Sequence, residues 1–187
     1  MAQPPSDHNQ GEPQIEPSGD SQRLGKMMII GTWVVLIGLL TWFAHVWYER
    51  AENPNRTVYV GEISGQRFVQ LKANRSGHYV ATGSINGVEV DFLLDTGATS
   101  ISVPQGVASK IGLKPGLSYP VITANGTASV FSTELTSVGL GVFERQNVQG
   151  HINPHMSGNQ VLLGMSFLRH FDLTSSDGTL TISIPGS

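Results

Sequence analysis

The stretch of this sequence that says most about chemistry is built around Asp95. It follows the apolar run Phe92-Leu93-Leu94 and opens the turn-forming stretch Thr96-Gly97-Ala98-Thr99-Ser100. An aspartate between a half-buried strand and a tight turn is held rigidly, a setting in which carboxyl groups do acid–base work. The strongest form of that work uses two carboxyls within hydrogen-bonding reach. Like charges this close do not both ionise, so one keeps its proton while the other accepts one. The Asp-Thr-Gly triplet occurs once. Asp91 lies inside the approach strand, Asp172 follows a short helical segment, and Asp177 sits in a Ser-Asp-Gly turn. None of these is placed to face Asp95. Read alone, Asp-Thr-Gly is also an ordinary turn sequence.

The elements that position Asp95 are strands. His78–Ile85 and Val88–Leu94 flank Asn86-Gly87, the strongest short hairpin signal, so a hairpin delivers Asp95 at the end of its second strand. Ser132–Val142 and Glu144–Ile152 read as further strands, and Val58–Leu71 as a hairpin preceding the main domain. Leu173 and Thr179–Ile184 flank a second hairpin signal, Ser176-Asp177-Gly178. Gly164–Phe171 is expected to be the only helix-like segment of this region, and it is short. Downstream of Asp95, Val161-Leu162-Leu163-Gly164 is a second apolar run ending in glycine. The pattern predicts a mainly β domain over residues 57–187.

Ahead of it, Met27 to Trp47 is apolar with few interruptions and long enough to span a bilayer as a helix. Trp42, Trp47 and Tyr48 gather near its C-terminal end, as an aromatic belt does. A cleaved signal peptide would have a short basic leader. Residues 1–26 are instead polar and acid-rich, which predicts a disordered tail before an uncleaved signal anchor. Arg23 and Lys26 on one side nearly balance Arg50 and Arg56 on the other, so charge does not set the orientation. Residues 48–56 read as a polar linker. The net charge of -3 gives no basic patch for nucleic acid. With no cysteine, thiol catalysis and disulfides are excluded. His151 and His155 flank Ile-Asn-Pro, and Pro154 argues against a helix that would bring both to one face. No metal and no cofactor is expected.

Phe92 to Ser100, the later Leu162-Leu163-Gly164 and the short helix after it resemble the retropepsin-like aspartic proteases. Gly77-His78-Tyr79, Ile85-Asn86-Gly87, Thr123-Ala124-Asn125-Gly126 and Leu162–Leu168 occur in the order found in the bacterial membrane-anchored branch of that group. The resemblance implies a single-lobe acid-protease barrel and hydrolysis of peptide bonds by a homodimer. It makes Asp95 the catalytic acid/base and Thr96 a brace between two active loops. Gly97 would sit beside the carboxylates, with Ala98 and Thr99 completing the loop. Leu163 and Gly164 would support the loop from behind. Thr123, Ala124, Asn125 and Gly126 would form the tip of a substrate-binding flap. It also implies anchorage in a bacterial inner membrane with the protease domain in the periplasm. A catalytically silent peptide-binding module of the same fold is the alternative. So is an adaptor whose active parts are the tail and the membrane helix.

Overall fold

The computed structural model describes residues 19–123 and 126–186. Most of the tail expected over residues 1–26 lies outside the described residues, as do the flap-tip residues Ala124 and Asn125. The chain divides into two units, residues 1–46 and 47–187. Helix α1 spans Gly19–Glu52, so it runs past the apolar stretch at both ends. It stops where Pro54 restricts the preceding residue to extended backbone. Its portion Gly25–Trp47, 23 residues with mean hydropathy 2.1, is long and apolar enough to cross a membrane.

The second unit is mainly β. Strands β1 (Tyr59–Ile63) and β2 (Gln66–Lys72) form a hairpin, as do β10 (Asp172–Ser176) and β11 (Thr179–Ser183). Both turns, Ser64-Gly65 and Asp177-Gly178, take positive φ at both central residues, the form that matches strand twist. The first hairpin does not stand apart from the domain, as its position in the sequence suggests. β2 pairs with β11 from Thr179↔Lys72 to Ser183↔Phe68, giving a four-stranded sheet β1-β2-β11-β10.

The larger sheet contains β3 (Val80–Ile85), β4 (Val88–Leu94), β5 (Ile101–Pro104), β6 (Ser118–Thr123), β7 (Gly126–Leu140), β8 (Phe143–Asn153) and β9 (Gln160–Leu163). The order is β3-β4-β9-β5-β8-β7-β6, and β3 also touches β7, which curls the sheet toward closure. The expected hairpin is present, with Asn86 and Gly87 both at positive φ. Strand β7 begins earlier than the expected Ser132, because its first half pairs with β6 before its second half pairs with β8. The core gathers Phe92, Ile101, Leu135, Leu140, Ile152, Val161, Leu163 and Phe167, all nearly inaccessible to solvent.

Among the described residues, two short helices are present beyond α1, where one is expected. Helix α2 (Gln105–Lys110) follows Pro104 and buries Val107 and Ala108. Six residues are too few to show a helical stripe in the sequence. Helix α3 (Met165–Leu168) is shorter than the expected Gly164–Phe171 and buries Phe167 and Leu168. Phe171 packs beyond its end, 5.1 Å from Phe167 and 4.8 Å from Phe143 between ring centroids.

The stretch expected as a linker also departs from its reading, because Asn53 and Asn55 are buried in the domain. The Asn55 side chain donates to the carbonyls of Lys72 (2.9 Å) and Val80 (2.7 Å) and accepts from the Lys72 N–H (2.7 Å). It thus bridges β2 and β3, one strand from each sheet. Asparagine suits the role because one amide carries both donors and an acceptor.

Candidate active site

Asp95 leaves β4 where the strand is locked from two sides. β4 pairs with β3 antiparallel and with β9 parallel, in the register Phe92↔Val161, Leu93↔Leu162 and Leu94↔Leu163. The Asp95 N–H then donates to the Leu163 carbonyl at 3.2 Å. The chain turns at once: the Ala98 N–H reaches back to the Asp95 carbonyl at 3.2 Å, and the Gly97 N–H donates to Asp95 Oδ1 at 2.9 Å. A side chain at position 97 would place its Cβ 3.2 Å from that same oxygen, so glycine lets the amide approach the carboxylate. Asp95 is half-buried, while Thr96, Gly97 and Thr99 are exposed. The site thus presents one carboxylate oriented by its own loop beside an open face.

Leu163, Gly164 and the start of α3 hold the loop from behind. The Met165 N–H donates to the Ala98 carbonyl at 2.8 Å, and the Ile101 N–H donates to Ser166 Oγ at 3.1 Å. Gly164 lies so near the loop that a Cβ there would stand 2.4 Å from the Ser100 carbonyl oxygen and 2.7 Å from that of Ala98. The hairpin β6–β7 provides the other candidate element. Thr123 is paired with Gly126, and the Thr123 hydroxyl donates to the Gly126 carbonyl at 2.8 Å. Ile122 is 92% exposed, which marks an outlying apolar surface on this hairpin.

The sequence reading does not foresee the contact between Ser100 and His151. Ser100 Oγ lies 2.9 Å from His151 Nδ1, and the Tyr119 ring of β6 meets the imidazole edge-on at 6.3 Å. His151 therefore links the end of the Asp95 loop to the outer hairpin. Burial holds its pKa below the ordinary 6.5 and favours the neutral ring. The pairing of β5 with β8 brings Ser102 opposite His151 and so carries Ser100 to it, across a separation no local pattern records.

The crystal structure of a retropepsin-like aspartic protease from Rickettsia conorii matches this chain with a TM-score of 0.54 at 30% identity. The match covers 68% of this chain and 94% of that one. The chain belongs to the retropepsin-like aspartic proteases. The gag-polyprotein aspartyl protease family model matches residues 81–170, from β3 to just past α3, and so includes the whole Asp95 loop and its support. Uncharacterised proteins of Sinorhizobium sp and Rickettsia prowazekii (strain Madrid E) are similar to this retropepsin-like chain. They are 33% identical over 123 residues and 35% identical over 117, covering 64% and 60% of this chain. It spans about half of their length, 53% and 46%.

Proposed function

We propose that this protein is a membrane-anchored aspartic endopeptidase whose active site is completed by a second copy of the chain. The observation that carries the reading is the setting of Asp95, whose carboxylate accepts from the Gly97 N–H and whose own backbone N–H donates to the Leu163 carbonyl, next to exposed Thr96 and Gly97. Two such loops facing each other bring their Asp95 carboxyls together to share one proton. The ionised carboxyl takes a proton from a water as the water oxygen attacks the scissile carbonyl carbon. The protonated carboxyl gives its proton to the carbonyl oxygen. Collapse of that intermediate breaks the C–N bond, and the leaving nitrogen takes up a proton. Thr96 braces one loop against the other, and Ala98, Thr99, Leu163 and Gly164 keep each loop in register. Residues Thr123 to Gly126 close over an extended substrate and exclude water.

In this reading the apolar part of α1 anchors each copy in a bacterial inner membrane, with the protease domain in the periplasm. Confinement to one membrane raises the effective concentration of one copy for another. The test is a mixing experiment on the detergent-solubilised chain. Asp95→Asn abolishes cleavage of a peptide library while the melting curve is kept. Excess Asp95→Asn suppresses the wild type by forming one-carboxylate pairs. An active species that sediments as a monomer and ignores excess Asp95→Asn refutes the proposal. Peptide binding without Asp95-dependent cleavage identifies a silent binding module instead.

A further inference from the structure

A cavity of about 660 Å³ opens beside the strand that carries Asp95. Leu93 of β4 lines it and lies two residues before Asp95, about 7 Å along an extended chain. A bound peptide in extended form advances by the same step. A side chain two residues from the reacting carbonyl therefore has the reach to enter the cavity. The lining also includes Trp47, the last residue of the apolar span, Glu52 and Arg56 from the segment after it, and Arg75 and His78 from the loop between β2 and β3.

Arg75 is held in place. Its guanidinium lies over the Trp47 ring, 4.2 Å from the centroid. A cation over an aromatic face is held by the ring without using its N–H donors, and a guanidinium carries five of them, in a fork that matches a carboxylate. Asp91 also lines the cavity, but its Oδ1 already accepts from Asn53 Nδ2 and Thr82 Oγ1, both at 2.7 Å. Glu52 and Asp91 are the acids of the lining, beside Arg56, Arg75 and His78.

We infer that this cavity is a subsite for an acidic side chain of the substrate, with Arg75 as its carboxylate partner and Trp47 as the residue that orients Arg75. The inference rests on the proposed peptidase reading and adds a substrate class to it. It makes the segment following the membrane span part of the recognition surface.

The test uses the full chain in detergent micelles, carrying Asp95→Asn so that bound peptide is not consumed. Labelled decapeptides with one Glu walked through a neutral sequence are compared with their Gln counterparts by fluorescence anisotropy. At one position Glu binds about tenfold tighter than Gln, as a charge-assisted bidentate pair provides. That ratio falls to near one in Arg75→Gln and declines in Trp47→Leu, with melting curves confirming that each variant folds. Equal or undetectable binding at every position, or a Glu preference that survives Arg75→Gln, overturns the inference. So does Arg75-dependent retention on phosphatidylglycerol over phosphatidylcholine vesicles without a Glu/Gln difference, which assigns the cavity to a lipid phosphate. The peptidase reading fails by a separate result, a wild-type chain that cleaves none of the peptides it binds.

Discussion

Replacing Gly164 by alanine tests whether the Asp95 loop is held from behind as the geometry implies. The backbone there is extended, φ -93° and ψ -171°, so alanine meets no conformational penalty and any effect is steric. The new methyl would stand 2.4 Å from the Ser100 carbonyl oxygen and 2.7 Å from that of Ala98, where real Cβ contacts are essentially never under 3.0 Å. Relief takes a displacement of roughly 0.6 to 1 Å, and the atoms in the way are backbone, unable to rotate aside. Overpacking of this kind costs about 1–3 kcal/mol of stability. The displaced segment is the one that aims Asp95, and a misplacement of about 1 Å can cost about 100-fold in rate. The expected result is a modest fall in melting temperature with a much larger fall in kcat/KM for peptide cleavage. Gly106→Ala is the control: apart from its chain neighbours and its own helix backbone, no atom lies within 4 Å of a Cβ there, and alanine in a helix stabilises by up to about 1 kcal/mol. A Gly164→Ala protein that matches the wild type in both melting and cleavage would refute the reasoning.

Further outcomes follow from the same geometry. Asn55→Ala orphans the Lys72 N–H and the Lys72 and Val80 carbonyls, and is expected to destabilise the chain by on the order of 3 kcal/mol in chemical denaturation. A loss below about 0.5 kcal/mol would show that water replaces the side chain freely. Because burial lowers the pKa of folded His151, the unfolded chain binds this proton first as pH drops below the ordinary 6.5. Its contribution to stability is therefore present at neutral pH and is lost from about 6.5 downward through the depressed folded value. His151→Gln should flatten that part of the melting-temperature profile, and equal slopes would show that the ring is not the source. Peptide cleavage should be fastest on the acid side of neutral, where one Asp95 carboxyl of the pair is protonated, and a profile flat into alkaline pH would oppose a shared-proton dyad.

What could be read in the sequence was local. Asn86-Gly87 and Ser176-Asp177-Gly178 place their hairpins because two residues with positive φ are enough to set such a turn. Asp95 and Gly164 stand out because each closes an apolar run at a turn. Contacts between distant segments left no such mark. Nothing near Asn55 in sequence says that its amide bridges two strands, and it reads as part of a polar connection. Ser100 and His151 meet only because β5 pairs with β8. Helix α2 is too short for periodicity and is ordered by burial of Val107 and Ala108.

The strand order β4-β9-β5 bears on when the site comes into being. The loop that carries Asp95 connects β4 to β5, yet these two strands do not pair with each other. β9, made much later in the chain, fills the gap between them. During synthesis the Asp95 segment therefore leaves the ribosome well before the strand that shapes it. Closure over such a separation is slow compared with forming a hairpin. The nascent chain thus carries its aspartate as an unshaped peptide until residues 160–164 arrive, and the geometry of the candidate site appears among the last features of the fold.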